Sequence, residues 1–527
     1  MIKIDISLPL FYNSEDITSA VIATLPVSKE EIRDSRIVRR SLVLDDKSDI
    51  HYKASVALAL SEEREKGLLK MRKKVSVYPD YNLALPKSRL TSRPVVCGFG
   101  PAGMFSALAL AEAGARPIVI ERGLDIDSRD KIVALFSKMG ILDPECNVQY
   151  GEGGAGSYSD GKLKVGSMDK HKMYILKTLV DMGANGEILF STTAHVGTDV
   201  LGSVVKKIRE RIISFGGEVR FGTRLLRINT KEGRVISVTV SHGGAEYDIE
   251  CESLVMATGH SARDSFEALL SAGAQLVKRP FGVGMRIEHR REYIDGLIYG
   301  VGTRRPTESA SYHLVTHLEG GRSVYSFCMC PGGSVVAAAN EACGIVTNGM
   351  SEYGRDGENS NAAILVSVTP DDFEDDSPLA GLDYQRKIER IAYSMTDSFR
   401  APAERLSHFM THSGENIETS VKASYPVGVN MTMMDSVLPS YITDSVRRGI
   451  EDFDKWLPGF YHPDAMLTAP ETRTTSPVRV MRGDSLEAFC ISGLYPAGEG
   501  AGYAGGIISS ARDGLLVAEA ILTKNAN

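Results

Sequence analysis

The first 90 residues have the apolar spacing of short alternating strands and helices. In residues 2–8, IKIDISL, every second side chain is apolar, which is typical of a strand with one buried face. The spacing then predicts further strands over 35–44 and 50–60, and helices over 15–25 and 61–74. We therefore predict a small α/β domain over residues 1–90, followed by a linker.

From about residue 93 the pattern becomes that of a parallel sheet. An apolar run at 94–97 leads through a glycine turn into a helix and a second apolar run, which is the order that parallel strands require. Thr198 is placed to cap another helix, which ends at Gly216 and carries its apolar residues on one face, namely Leu201, Val204, Val205, Ile208 and Ile212. Strands are then predicted over 217–228, 233–240 and 246–259.

The rest of the chain divides into two parts. Residues 271–470 have mixed periods and many loops, whereas residues 471–527 return to a strand, a glycine turn and a helix. The pattern predicts one α/β unit, formed by 91–270 and 471–527, into which a mixed α+β domain of residues 271–470 is inserted.

Composition narrows the class of protein. The chain has 527 residues, of which 43% are hydrophobic and 24% charged, and its net charge is −7. That charge disfavours nucleic acid or an anionic membrane as a partner. The chain has no run of about 18 apolar residues, which a membrane helix needs, and its first residues lack the pattern of a secretory signal. Seven cysteines in so long a chain do not form a disulfide framework. We expect a cytoplasmic protein with no metal site.

A glycine pattern follows the apolar run at 94–97. Gly98, Gly100 and Gly103 form G-x-G-x-x-G, in which the glycines allow a tight turn, close approach to a pyrophosphate and close helix packing. The helix N-terminus then offers free amides to a diphosphate, and Glu121 is placed to accept hydrogen bonds from a ribose. We predict a dinucleotide site that includes Gly98, Gly100, Pro101, Ala102, Gly103, Glu121 and Arg122.

Two later segments decide which nucleotide is expected. Residues 491–514, ISGLYPAGEGAGYAGGIISSARDG, resemble the C-terminal flavin motif of the glutathione-reductase-like flavoproteins, and residues 254–264, LVMATGHSARD, resemble the middle motif of that family. In the family an acid, usually Asp, holds the ribityl chain, and Glu499 stands in its place here. The resemblance implies a Rossmann-like FAD-binding domain in which the cofactor contacts Ala257, Thr258, Gly259, Gly498, Glu499, Gly505, Gly506 and Ile507.

The inserted segment lacks a second dinucleotide motif. Residues 265–470 contain no further G-x-G-x-x-G with a following strand and acid. We therefore expect this segment to cap the flavin and to shape a substrate pocket, with NAD(P)H as at most a transient reductant.

A glycine-rich loop extends the resemblance to a narrower family. Residues 151–163, GEGGAGSYSDGKL, together with 279–289, 325–333 and 348–368, resemble bacterial FAD-dependent dehydrogenases of unassigned substrate, which carry an extra N-terminal domain. Glycines at 153, 154 and 156 would let the backbone pass close to a flat ring, and Ser157, Asp160 and Lys162 would supply polar contacts. We predict contacts from Gly153, Gly154, Gly156, Ser157, Asp160 and Lys162 to flavin or substrate; the alternative is a mobile surface loop.

Three further residues are candidates for chemistry. His260 directly follows the middle motif, and a histidine there would move a proton during hydride transfer because its ordinary pKa is close to neutrality. Its alternative is a loop histidine bonded to the backbone. Arg286 and His289 would hold a substrate carboxylate and move its proton. The alternative is that Arg286 and Glu288, which lie two apart on a predicted strand, face solvent.

Cys328 and Cys330 form a C-x-C pair on a predicted strand. Such a pair is redox-active or metal-binding where its surroundings favour the thiolate. Free cysteines are commonly buried, so we interpret these two as core residues.

The sequence leads to one main hypothesis and two alternatives. The main hypothesis is an FAD-dependent oxidoreductase that transfers a hydride between a small-molecule substrate and the flavin. The alternatives are a flavin-dependent RNA-modifying enzyme, with the N-terminal unit and its basic stretches at 38–41 and 63–74 as the RNA clamp, and a flavin-binding sensor or scaffold without turnover. Acidic residues offset the second of these stretches, which favours a solvated helix face. The oligomeric state stays open.

Overall fold

The computed structural model describes residues 1–70, 75–300, 306 and 308–524. The predicted helix at 61–74 ends at Leu69, and its residues 71–74 lie outside the described residues. Within the described residues, no helix is both long enough and apolar enough to cross a membrane.

The N-terminal residues form a four-stranded antiparallel sheet with two helices. The strand order is β2-β3-β1-β4, and the alternating burial along β1 follows its alternating sequence. Asn13 begins α1 with a capping box, in which its side chain accepts from the amides of Glu15 and Asp16. The elements are β1 (Ile2–Leu8), α1 (Ser14–Thr24), β2 (Asp34–Val43), β3 (His51–Ala59), α2 (Glu62–Leu69) and β4 (Val75–Val77).

A five-stranded parallel sheet forms the next unit. Its order is β23-β11-β5-β6-β7, so β5 lies at the centre between β11 and β6. The elements up to the inserted segment are β5 (Val95–Cys97), α3 (Pro101–Glu112), β6 (Ile118–Ile120), α4 (Ile126–Met139), α5 (Lys170–Asp181), α6 (Thr198–Ser214), β7 (Glu218–Arg220), β8 (Thr223–Lys231), β9 (Arg234–His242), β10 (Ala245–Glu250), β11 (Leu254–Met256) and α7 (Arg263–Ser271). Because all five strands run in the same direction, their carboxyl ends meet at one edge.

Two of the expected strands are each divided in two. The chain turns at Gly222, with φ +60°, between β7 in the parallel sheet and β8 in a separate three-stranded sheet with order β10-β9-β8. Residues 246–259 likewise provide β10 and then β11. An apolar run does not show at which residue a strand leaves one sheet for another.

Helix α6 has the buried face that its sequence predicts, comprising Leu201, Val204, Val205, Ile208 and Ile212. Its N-cap, however, is Gly197, and the hydroxyl of Thr198 donates to the carbonyl oxygen of Ser159 instead. The expected capping role of Thr198 is therefore wrong.

The inserted segment is built on a seven-stranded sheet with order β14-β15-β18-β13-β21-β19-β20. Helix α11 packs on this sheet over an apolar core. The elements are β12 (Leu276–Lys278), β13 (Phe281–Arg290), α8 (Arg291–Tyr299), β14 (Val315–His317), β15 (Ser323–Cys330), β16 (Ser334–Ala337), β17 (Thr347–Met350), β18 (Asn359–Val368), α9 (Ala380–Ser394), β19 (Ala401–Arg405), α10 (Leu406–Thr411), β20 (Val429–Met431), α11 (Ser440–Trp456) and β21 (Met466–Glu471).

The C-terminal residues return to the parallel unit. Strand β22 (Val478–Val480) pairs with β12, β23 (Leu494–Pro496) completes the parallel sheet, and α12 (Ile507–Lys524) packs on α3. The two helices approach so closely that a Cβ at Gly514 would lie 2.0 Å from the carbonyl oxygen of Ala102.

A buried ion cluster joins the parallel unit to the inserted segment. Glu389 of α9 accepts from Arg263 of α7 and from Arg473, which follows β21. All three side chains are at most 5% exposed. Removal of one partner from such a cluster would leave an uncompensated buried charge, so the cluster holds the two units in one arrangement.

Candidate functional site

A cavity of about 610 Å³ lies at the carboxyl edge of the parallel sheet. Strand β15 and the residues after β21 form its opposite wall. Eighteen of the residues expected from sequence line it, namely Gly98, Gly100, Pro101, Ala102, Glu121, Arg122, Gly154, Gly156, Asp160, Lys162, Ala257, Thr258, Gly259, His260, Glu499, Gly505, Gly506 and Ile507. The three nucleotide motifs, although far apart in sequence, therefore face one space.

The first glycine turn has the geometry that its sequence predicts. Gly98 has φ +97°, and a Cβ there would lie 2.4 Å from the carbonyl oxygen of Ala257. A Cβ at Gly103 would lie 1.9 Å from the carbonyl oxygen of Gly98, so both glycines are needed for packing. At Gly100 a Cβ would meet only the Cα of Gly154, at 3.7 Å. Gly100 thus leaves room for a ligand at the N-terminus of α3, which no side chain caps.

The carboxylate of Glu121 is already engaged by the backbone. It accepts hydrogen bonds from the amides of Phe99 (2.9 Å), Gly123 (3.0 Å) and Gly151 (2.9 Å). A carboxylate offers about four acceptor positions, so one remains for a ligand. Glu121 therefore fixes the two glycine segments against each other as well as lining the cavity.

Arg122 is held by protein groups. Its guanidinium pairs with Asp264 and lies 4.5 Å from the ring centroid of Tyr150. It contributes positive charge to the cavity wall from this fixed position.

Glu499, unlike Glu121 and Arg122, is not engaged by protein groups. Its half-buried carboxylate has no hydrogen-bond partner among the described residues. Burial and the nearby Cys328 sulfur raise the pKa of Glu499 to about 7, against the opposing charge of Arg279. An unpartnered polar group at a cavity wall is suited to a ligand hydroxyl. A Cβ at Gly505 or Gly506 would meet no atom within 4 Å, so the turn before α12 is open as well.

These features fit FAD. The N-terminus of α3 would hold the diphosphate, Glu121 a ribose hydroxyl and Glu499 a ribityl hydroxyl. The open turn at Gly505 and Gly506 would lie along the flavin ring.

The loop at 151–163 packs against the first glycine turn. Gly154 has φ +63°, and a Cβ there would lie 2.9 Å from the Cα of Gly100. Asp160 is 1% exposed and is paired with Arg355, while the amine of Lys162 lies 3.8 Å from Asp160. Lys162 is thus the residue of this loop that offers a cation at the cavity wall.

Four of the residues expected to contact the cofactor, Gly103, Gly153, Ser157 and Gly498, do not line the cavity. Gly153 donates its amide to the carbonyl oxygen of Phe99, and Ser157 packs on Gly153. Gly498 donates its amide to Asp513, and Gly103 packs on Gly98. These residues shape the cavity from outside it.

His260 belongs to a chain of hydrogen bonds that defines its tautomer. The amide nitrogen of Gln149 donates to the carbonyl oxygen of Ala338 (3.3 Å), so the amide oxygen of Gln149 accepts from the Ser261 hydroxyl (3.1 Å). Because Ser261 has only one hydroxyl hydrogen, both of its contacts are satisfied in the tautomer in which Nδ1–H of His260 donates to it (3.0 Å). Nε2 is therefore the acceptor nitrogen.

The charge state of His260 follows from its neighbours. Burial, with the positive charges of Arg473 and Arg263, lowers the pKa of His260 to about 4. The ring is neutral at pH 7, and Nε2 is suited to accept a hydrogen bond.

Arg286 does not face the cavity, so its expected role in binding a substrate carboxylate is wrong, as is the alternative of a solvent-facing strand. Its side chain is 0% exposed. It donates twice to Glu471 and once each to Asn348, Asn361 and the carbonyl oxygen of Cys328. These bonds use the five donors of a guanidinium.

The expected role of His289 in moving a substrate proton is also wrong. The ring is 1% exposed, stacks on Tyr293 and donates Nε2–H to the carbonyl oxygen of Phe460. Burial lowers the pKa of His289 to about 4, so the ring is a neutral core group.

Cys328 is not a core residue as the sequence indicated. It is half-buried and lines the cavity, whereas Cys330 is fully buried. Sequence analysis also missed Tyr312, whose buried hydroxyl has no partner among the described residues and whose ring lines the cavity. Neither position carries a local signal, since both depend on how the inserted sheet covers the parallel one. The described residues contain no group of three or more His, Cys, Asp and Glu side chains that could hold a metal ion.

Over 528 residues, 42% are identical to an uncharacterized protein of Clostridium beijerinckii, with 99% of this chain and 98% of that protein covered. The chain belongs to the same family. Residues 280–474 also match a family model described as "FAD-dependent protein, C-terminal domain-like". This family member is therefore an FAD-dependent flavoprotein.

Solved structures are much more distant. The 3-ketosteroid-Δ4-(5α)-dehydrogenase of Rhodococcus jostii RHA1 is 14% identical, with 84% of this chain and 100% of that one covered and a TM-score of 0.36. FrdA of the E. coli quinol fumarate reductase is 11% identical, with 83% and 70% covered and a TM-score of 0.37. Such low similarity gives no information on substrate or reaction.

Proposed function

We propose that this flavoprotein is an oxidoreductase of the glutathione-reductase-like fold class that transfers a hydride between bound FAD and a small organic substrate. The observation that carries the proposal is the meeting of the three nucleotide motifs around one cavity whose far wall is the inserted sheet. A cofactor along the parallel sheet would leave the space beside β15 for a substrate. FAD supplies the hydride chemistry when it is bound.

The residues of this chain have distinct roles in the proposal. The uncapped N-terminus of α3 binds the diphosphate, and the open N-terminus of α12 stabilises negative charge. Glu499 accepts a hydrogen bond from the ribityl chain. Nε2 of His260 accepts a hydrogen bond from the substrate and orients its hydroxyl or amine.

The cavity wall beside β15, here called the substrate wall, is suited to a small molecule with few charges. It carries hydroxyl, amide and sulfur groups from Tyr312, Ser326, Cys328, Met329 and Asn348. Two charged side chains beside this wall are already paired, since Glu471 binds Arg286 and Arg473 binds Glu389. A neutral polar substrate therefore meets the wall without an unpaired buried charge.

The first test is the visible spectrum of the purified protein, followed by anaerobic addition of NADH or NADPH. We expect a flavin spectrum, and bleaching by a nicotinamide would indicate that the physiological substrate is an electron acceptor. A spectrum unchanged by either nicotinamide would direct the search to an organic hydride donor. Absence of flavin after FAD is added back to the stripped protein would overturn the proposal.

A matched pair of variants tests the placement of the cofactor. Gly100→Val fills the space at the N-terminus of α3 and should abolish flavin retention. Gly186→Val is the control, because a Cβ there meets nothing within 4 Å and the residue does not line the cavity. Equal flavin content in the two soluble variants would contradict the assignment of this turn.

A further inference from the structure

Cys328 and Cys330 are two thiols with different environments on one strand end. Cys328 lines the cavity, whereas Cys330 is 0% exposed behind it. The thiol of Cys330 donates to the carbonyl oxygen of Cys328 at 3.2 Å, and the Cys330 side chain lies against that of Cys328. Cys328 is thus placed to react with a ligand in the cavity, and Cys330 is placed to react with Cys328 afterwards.

The backbone presents Cys328 in a conformation that few residues adopt. Its φ is +43°, at an irregularity in the pairing of β15 with β18 between Phe327 and Cys330. A non-glycine residue held in this region is strained and persists only when its surroundings stabilise it. Arg286 provides that support, since it donates to the carbonyl oxygen of Cys328 at 2.8 Å while it is bound to Glu471.

The charges around the pair favour one thiolate. Contact with the Cys330 side chain, together with the charges of Arg286 and Lys162, lowers the pKa of Cys328, although burial and Asp160 oppose this. The same contact and burial raise the pKa of Cys330. Cys328 is therefore the thiol that ionises more readily and acts as a nucleophile, and Cys330 is its protonated partner.

We propose that Cys328 and Cys330 form a thiol–disulfide exchange site for small organic disulfides, with Cys328 as the attacking sulfur and Cys330 as the resolving one. The proposal stands independently of the hydride transfer proposed above. Cys328 lines the cavity and Cys330 does not, which assigns the order of attack.

The exchange balances without any other reactant. The Cys328 thiolate forms a bond to one sulfur of the disulfide, whose S–S bond breaks and releases a thiolate. Sγ of Cys330 then bonds to Sγ of Cys328, and its proton goes to the second departing thiolate. Two protein thiols are oxidised to a disulfide, while the small disulfide is reduced to two thiols.

The test uses the purified full-length protein and 2-hydroxyethyl disulfide, with non-reducing peptide mapping by mass spectrometry. We expect the peptide that contains both cysteines to lose two hydrogens. In Cys330→Ser the mixed disulfide should remain on Cys328, and in Cys328→Ser no adduct should form on Cys330. Cys343→Ser is the control, since Cys343 is exposed and outside the pair; it should lose its own adduct and keep the Cys328–Cys330 disulfide.

Two results would overturn the proposal. One is a wild-type protein in which Cys343 and Cys490 are modified while Cys328 and Cys330 stay free thiols. The other is an adduct on Cys330 in Cys328→Ser that forms as fast as the wild-type protein reacts. This result would show that Cys328 does not attack first. Both results are read from peptide masses, so a misfolded variant cannot imitate the first, and neither depends on flavin turnover.

Discussion

Gly154 and Gly100 lie so close together that a Cβ on Gly154 would be 2.9 Å from the Cα of Gly100. The glycine-rich loop and the first glycine turn are therefore one packed unit. Their contact determines where a cofactor phosphate can approach α3.

The first prediction concerns this contact. Gly154→Ala should destabilise the protein by about 1–3 kcal/mol, because φ +63° disfavours a side chain and the new Cβ meets backbone. Gly156→Ala should change stability by less than about 1 kcal/mol, since its Cβ would make ordinary contact with Ile507 at 3.5 Å. Chemical denaturation measures both values, and equal values for the two variants would contradict the close packing.

The second prediction concerns the histidine tautomer. Ser261→Ala removes the acceptor of Nδ1–H, so Nε2 of His260 is no longer held as the acceptor. Loss of one hydrogen bond of about 0.5–1.5 kcal/mol should lower kcat about 2- to 10-fold once a substrate is known. Flavin content should change little, and Ser265→Ala, at another cavity position, is the control. A large loss of flavin in Ser261→Ala would indicate a structural role instead.

The third prediction concerns Arg286. Arg286→Lys keeps the positive charge but removes the forked donors to Glu471 and two asparagines, and a buried polar group left without its partner costs about 1–3 kcal/mol. Arg290→Lys is the control on the same strand, because Arg290 is 44% exposed and pairs with Glu358 at the surface, where an ion pair contributes about 0–1 kcal/mol. Thermal unfolding of both variants measures the difference. Comparable unfolding temperatures for the two variants would show that the buried hydrogen bonds of Arg286 stabilise the fold no more than a surface ion pair does.

The fourth prediction is a pH dependence of the flavin-free protein. The pKa of Glu499 is raised to about 7 from 4.5, so the folded state binds more protons than the unfolded state between those values. The stability contributed by protonated Glu499 is therefore present below about pH 4.5 and is lost as the pH rises through about 7.

Glu499→Gln tests this dependence, because glutamine stays neutral. The variant should match the wild type at pH 4.5 and unfold at a higher temperature than it at pH 8. Parallel stability curves for the two proteins between these pH values would contradict the raised pKa.

Local sequence was sufficient for part of the site. The glycine turn at 98–103 and strand β1 depend on neighbouring residues, through turn conformation and alternating burial, so they could be read directly from the chain. The motif around Glu499 was recognised by resemblance, but its unpartnered carboxylate was visible only in the structure.

The sequence by itself determined the parallel α/β order, the three nucleotide motifs and the expectation of FAD. Tertiary structure decided which polar residues face the cavity. Arg286 and Cys328 show the physical reason: the arginine meets its carboxylate only where β21 pairs with β13, and that pairing holds Cys328 at the cavity wall. Such contacts join residues far apart in the chain, and no local periodicity records them.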